Sequence, residues 1–319
     1  MSKADEIFIS MCSDIIEHGT TTEGQRVRPR WEDGSPAYTI KRFGVCNRYD
    51  LREEFPALTL RRTALKSCMD EVLWIYQRKS SNIHDLKPHI WDEWADETGS
   101  IGKAYGYQVG VKSHYPDGDF DQMDRVLRDL RENPYSRRIM TNLYTFADLS
   151  EMNLYPCAYN AIYNVTQEPG EARPTLNMVL VQRSQDVLAA NNWNVCQYAV
   201  LVHMFAQASG LRAGELVHVI ADAHIYDRHV PIVEKILENP QYPPRQRRAR
   251  AHLAPHVPRP RRPTEPRRHR LLRLHHRRPD RRELRARPAG HQHPDRGLTA
   301  RRGCPGAGRH AGTAPHRKV

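Results

Sequence analysis

The chain changes character at Tyr242, and no single globular fold accommodates both sides of that change. After Tyr242 there is no Phe, Trp or Tyr. Residues 244–319 hold 23 of the 49 Lys+Arg but 4 of the 37 Asp+Glu, with 9 of the 17 His and 11 of the 23 Pro. The rest of the chain carries 26 Lys+Arg against 33 Asp+Glu, so the formal net charge of +12 comes entirely from the C-terminal stretch. A segment with that charge and no aromatic residue cannot bury enough apolar surface to offset the entropy of ordering it. One core-forming domain is therefore expected at residues 1–243, followed by a disordered basic tail at 244–319.

The six cysteines, at 12, 46, 68, 157, 196 and 304, make no CxxC pair and no evenly spaced framework. Nothing at the N-terminus resembles a signal peptide, and no apolar run approaches the length of a bilayer span. A reduced, cytoplasmic setting without membrane contact is the economical expectation. His224 and His229 lie five residues apart, which shares neither a helix side nor a strand face, so no metal site is expected.

Within the body, helical apolar spacing predicts helices at residues 4–18, 62–79, 120–132, 193–209 and 229–239. On the second of these, Leu65, Met69, Val72, Leu73 and Tyr76 share one stripe. β-branched or alternating runs predict strands at residues 137–145, 158–166, 174–183 and 215–221. Helices and strands mix without regular βαβ alternation. The expected class is α+β, a large mixed sheet packed by helices.

Several residues could carry chemistry. Cys157, in "YPCAYN" between two predicted strands, is either a small buried hydrophobe or a nucleophile whose pKa a nearby cation lowers. Arg28, Arg137, Arg138 and Arg183 have the rigid fork that suits phosphate, and Ser184 could complete an anion site; each Arg alone could equally be surface charge. His224 and Tyr226, two residues apart, face the same way on an extended strand and could hydrogen-bond a sugar hydroxyl. "WDEWADE" offers Trp91 and Trp94 either to a flat ring or to the core.

Taken in order, the motifs "EVLWIYQ", "IWDEWADETGSIGKAYG", "SRRIM", "YPCAYN", "QRSQDV", "NNWNVCQYA" and "HIYDRH" resemble the thymidylate synthase family across about residues 5 to 240. The resemblance implies a methyltransferase that converts deoxyuridylate (dUMP) to thymidylate, with methylenetetrahydrofolate as co-substrate and no metal. It implies that Cys157 adds to C6 of the pyrimidine, with Arg183 favouring the thiolate. Arg28, Arg137, Arg138, Arg183 and Ser184 would hold the phosphate. The Arg137–Arg138 pair would reach the partner's site in a homodimer. Asn194 would read the uracil edge, His224 and Tyr226 the ribose, and Glu71 would run proton transfers. Trp91, Tyr105 and Asp186 match positions close to folate or to the proton chemistry, Asp186 also lying near the substrate. Three departures stand out: Ala158 follows the Cys where His is common, residues 189–193 read AANNW instead of a Gly-Leu-Pro stretch, and Arg61 stands where lysine is expected near folate.

The tail departs furthest, because the family ends in an aromatic-containing segment that closes over folate. Reading the tail from His269 shifted by one base, with third bases chosen freely, permits "TDFYAFTTDDLIVENYVPGPQVTNIPIAV" and then a stop at Leu298–Thr299. The expectation is a frameshift after about Tyr242 and before His269, giving a nucleotide-binding chain with poor methyl transfer. Two readings compete. A nucleic-acid binder would use the tail as a cationic arm, though no aromatic is there to stack bases and non-specific contact is all it predicts. A deoxycytidylate hydroxymethylase on the same fold is disfavoured by Asn194.

Overall fold

The computed structural model describes residues 1–240, and everything expected of the tail lies outside the described residues. Helix α1 (Lys3–His18) begins at a reciprocal cap: Ser2 Oγ accepts from the Asp5 N–H at 3.2 Å, and the Asp5 carboxylate accepts from the Ser2 N–H at 2.9 Å. After it come β1 (Thr20–Thr21), β2 (Thr39–Asp50), α2 (Leu65–Tyr76), a short α3 (Gly106–Gly110) and the hairpin β3 (Ser113–Tyr115) and β4 (Gly118–Phe120). Helix α4 (Gln122–Glu132) is capped by the Asp121 carboxylate, which accepts from the Met123 and Asp124 N–H groups. The chain continues through β5 (Met140–Asn142), β6 (Ala158–Thr166), β7 (Thr175–Gln182), β8 (Gln185–Asp186), α5 (Asn191–Ala208), β9 (Arg212–Tyr226) and α6 (Val230–Glu238).

Seven strands form one sheet in the order β1-β2-β9-β7-β6-β5, with β8 also paired to β9. The β7–β9 and β8–β9 pairs are parallel and the others antiparallel, so the fold is α+β with a large mixed sheet. Alternation along the strands sends Ala161, Tyr163, Leu176, Met178, Leu180, Leu216 and Ile220 into the core beneath α1 and α5. Register places Ile162, Val179, Val181, Val217 and Val219 on the opposite face, next to Met140, which is 48% exposed. Among the described residues no helix covers that face.

The sequence patterns misplace some boundaries. The strand expected at 137–145 is confined to Met140–Asn142, an edge strand with one neighbour, whereas the strand expected at 215–221 runs over Arg212–Tyr226 because both its edges are paired. On α2 the buried side is Cys68, Glu71, Val72, Trp74, Ile75 and Tyr76, while Leu65 and Met69 of the expected stripe are exposed. The buried side is set by Val72, Trp74, Ile75 and Tyr76, and Glu71 is carried inward with them, where Gln197 and Trp193 of α5 donate to it.

Candidate active site

One hairpin positions two reactive side chains. A bulge at Tyr159, where Ala158 faces Gln182 and Asn160 faces Val181, turns the start of β6 and with it Cys157. Across the hairpin, Gln182 pairs with Ile220 and Gln185 with Ala223, so β7 resumes as β8 in unchanged register after a break at Arg183 and Ser184. In that break the Arg183 N–H donates to the Cys157 carbonyl at 3.0 Å. The guanidinium donates to the carbonyls of Pro156 (2.9 Å) and Tyr155 (2.8 Å), and its Nη2 stands 3.7 Å from Cys157 Sγ. Burial pushes the Cys157 thiol pKa up, opposed by the charges of Arg183 and Arg28. The expectation that Arg183 favours the thiolate gives the right sign for that one contribution, but burial outweighs it.

Beside the break lies a recess of about 290 Å³, lined by Arg183, Ser184, His224, Tyr226, Asp222 and Thr39 among others. Strand β9 delivers His224 and Tyr226 to it together, their rings edge-to-face with centroids 5.1 Å apart. His224 Nδ1 is 2.8 Å from the Asp222 carboxylate, an acceptor, so Nδ1 carries a proton. Arg28 is exposed between Val27 and Pro29, both of which line the recess. The structure does not bring Arg137 and Arg138 there. Both are exposed just before β5 and neither lines the recess.

A second group of side chains gathers around Glu71, which is 7% exposed. Its Oε1 accepts from Trp91 Nε1 at 2.8 Å, and its Oε2 accepts from Gln197 Nε2 at 2.8 Å and from the Trp193 indole N–H. A buried carboxylate without such donors would be prohibitive. Burial still raises the Glu71 pKa, with the three donors pulling it down. Asn194 on α5 donates to Gln197 Oε1 at 3.1 Å and accepts from Gln182 Nε2 at 3.4 Å. Tyr105, buried and held at φ 43°, accepts from the Cys157 N–H at 3.2 Å, and its ring meets that of Trp91 at 5.0 Å. Gly106 must follow it, because a side chain there would collide with the Ser80 backbone.

Asp186, half-buried at the end of β8, accepts from the Ala189 N–H at 2.9 Å and lies 3.9 Å from His229 Nδ1. In place of a Gly-Leu-Pro stretch, Asn192 ties α5 to the 56–63 segment: it accepts from Thr63 Oγ1 at 2.6 Å and donates to the Pro56 carbonyl at 2.9 Å. Arg61 donates to the Leu188 carbonyl. The partners that sequence reasoning missed are Trp193, Gln197, Gln182 and His218. Their one visible signal is a polar residue inside an otherwise apolar run, as Gln197 is in α5.

Residues 6–253 match the family model described as thymidylate synthase. The chain belongs to the thymidylate synthase family. It is 38% identical over 247 residues to the thymidylate synthase of Bacillus subtilis subsp. natto, covering 76% of this chain and 86% of that one. It is 36% identical over 233 residues to that of Clostridium beijerinckii, covering 72% and 80%. Among solved structures it resembles thermostable thymidylate synthase A from Bacillus subtilis, with a TM-score of 0.70 and 37% identity over 74% of this chain and 84% of that one. As a member of the thymidylate synthase family the chain is an enzyme, a methyltransferase. No group of three or more His, Cys, Asp or Glu gathers as a metal site among the described residues, and no helix there is long and apolar enough to cross a membrane.

Proposed function

We propose that this chain methylates deoxyuridylate at C5 and that Cys157, Arg183, Asn194 and Glu71 carry the reaction. The observation that supports it most is the hairpin that sets a thiol 3.7 Å from a guanidinium beside a recess of nucleotide-phosphate and sugar size. Arg183, Ser184 and Arg28 supply charge and donors for a phosphate there. His224 and Tyr226 supply a ring nitrogen and a hydroxyl for a ribose. The Asn194 amide can accept from uracil N3–H while donating to O4, a pattern cytosine cannot match.

Pyrimidine C5 is a poor nucleophile until a group adds at C6. The Cys157 thiolate forms that C–S bond, and the electron pair of the 5,6-double bond moves onto C5 and O4. Desolvation makes the thiol hard to ionise; its proton passes to solvent water, and the Arg183 guanidinium 3.7 Å away stabilises the thiolate left behind. Glu71, its pKa raised by burial, is suited to hold a proton and exchange it near O4. Methylenetetrahydrofolate supplies the one-carbon unit and the hydride. Asp186 keeps a half-buried carboxylate with spare lone pairs, which suits the N–H-rich edge of a pteridine. Trp91 and Tyr105 act from beneath, through Glu71 and the Cys157 backbone.

The working unit is proposed to be a cytoplasmic homodimer in which the uncovered apolar sheet faces stack, bringing each chain's Arg137 and Arg138 to the other's phosphate. The catalytic domain is residues 1–243. With residues 244–319 as its C-terminal segment, nucleotide binding with weak turnover is the expected behaviour, since an unclosed site leaves the folate chemistry open to water. The test is dihydrofolate formation from methylenetetrahydrofolate with deoxyuridylate and with deoxycytidylate. It should be run on this chain and on one carrying the shifted-frame ending from residue 269. Turnover on deoxyuridylate that rises with the restored ending supports both parts. Full activity without it sinks the weak-turnover reading, and activity on deoxycytidylate alone sinks the substrate.

A further inference from the structure

Behind Asn194 runs a chain of hydrogen bonds with a single direction. It starts at Glu71, whose two oxygens are acceptors already serving the indoles of Trp91 and Trp193. Gln197 therefore meets Glu71 with its amide N–H, at 2.8 Å, and turns its Oε1 outward. That oxygen takes the Asn194 Nδ2–H at 3.1 Å, which leaves Asn194 Oδ1 facing Gln182. Gln182 answers with its own Nε2–H at 3.4 Å and turns its Oε1 to β9. There it meets His218 Nε2, which must carry the proton.

The far end is closed in the same sense. His218 and Gln182 are both 0% exposed. His218 Nδ1 has no hydrogen-bond partner among the described residues. A bare lone pair there costs less than an N–H with no acceptor, so the tautomer with hydrogen on Nε2 is favoured by its surroundings as well as by Gln182. Swapping the tautomer would turn Gln182 over, present an oxygen to Asn194, and set Asn194 Oδ1 against Gln197 Oε1. The chain tolerates one polarity. Burial pushes the His218 pKa down to about 3, which keeps the ring neutral.

We propose that His218, acting through Gln182, is a specificity-determining positioning residue that fixes the Asn194 amide in the sense that matches uracil and opposes cytosine. This rests on the reading that Asn194 faces the base. His218 is no part of the motifs that carried the family resemblance, and nothing in its own position on β9 touches the recess. It reaches Asn194 through the one amide of Gln182, and four links through three amides separate it from Glu71.

The test compares His218→Met with His218→Gln in the full chain. These side chains have similar length and volume, and only glutamine returns an N–H near the position of Nε2. Calorimetric titration with deoxyuridylate and with deoxycytidylate reads the outcome, with thermal unfolding as the folding check. His218→Met should weaken deoxyuridylate binding about tenfold, the size of one net hydrogen bond, and narrow its preference over deoxycytidylate by a similar factor. His218→Gln should stay within about threefold of the parent on both counts. A folded His218→Met variant that keeps the full preference overturns the proposal. So does a narrowed preference that His218→Gln fails to restore. Should His218→Met not fold, ¹⁵N spectra of the histidine-labelled parent decide instead, with His218→Gln assigning the resonance by its loss. A neutral ring protonated on Nε2 supports the relay and one protonated on Nδ1 overturns it. A parent chain that binds neither nucleotide overturns the reading of the site itself, an outcome separate from the tautomer result.

Discussion

The recess and the Glu71 group, the two ends of the candidate site, are built on opposite electrostatic plans. At the recess, Arg28 and Arg183 present full charges that water still reaches in part, with Ser184, His224 and Tyr226 as polar neighbours. At the other end a single carboxylate, Glu71, sits dry among neutral donors: two indoles and an amide. The first plan suits capture of a dianion from solution, where long-range attraction matters and exact geometry matters less. The second suits reading a neutral ring edge and moving a proton, where each donor is worth more because no water competes. Cys157 stands at the junction. Half-buried, it shares the desolvation of the dry end and faces the charge of the other through its two arginines.

The largest effect is expected at Cys157, where the two plans meet. Cys157→Ser should cut turnover by about 10³-fold or more while nucleotide binding, measured by calorimetry, changes little, because the charged end is untouched. At the dry end, Glu71→Gln should reduce turnover about 10²- to 10³-fold. It should also destabilise the fold by about 2 kcal/mol in urea unfolding, because its amide N–H₂ is brought up against groups that already donate. At the charged end, Tyr226→Phe should raise the nucleotide KM by about tenfold or less and spare kcat, the pattern of a lost binding contact.

Two pH measurements sharpen the distinction further. The Cys157 pKa is raised, so its alkylation by iodoacetamide should accelerate as pH rises, with a midpoint above the ordinary thiol value of about 8.5. Arg183→Leu should move that midpoint higher still. His218 stays neutral in the folded state with its pKa near 3, whereas in the unfolded chain it protonates below about 6.5. Its contribution to stability is therefore present above that pH and lost as pH falls toward 3, at up to about 1.4 kcal/mol per pH unit. His218→Gln should flatten that acid limb in pH-dependent unfolding.

The charged end was the legible one. Arginine, serine and a His-x-Tyr pair advertise themselves by residue type, and β7 and β9 set Arg183, Ser184, His224 and Tyr226 at or just past strand ends. The dry end was legible only where a motif named it. Glu71 was read as reactive, but nothing in the spacing of α2 revealed that the helix turns it inward, since a pattern rule counts a carboxylate as surface. The motif around Trp91 points to folate, and the structure shows its N–H spent on Glu71. Gln182, Gln197 and His218 escaped notice because a buried polar residue is defined by its partner, and the partners come from three separate elements. Edge strand β5 was overdrawn for a related reason: strand length is set by neighbours that a local window does not contain.

The hairpin that joins Cys157 to Arg183 has a consequence for handling this protein. Both residues are fixed by the ladder between β6 and β7 and by the Arg183 contacts to Tyr155 and Pro156, all at one end of the hairpin. The connecting turn at residues 167–174 lies at the far end, mostly exposed and turning at Gly170 with φ 88°. The distance between thiol and guanidinium is thus independent of what the turn contains. New termini opened there by circular permutation, or a reporter peptide spliced in after Gly170, would leave the reactive pair in place.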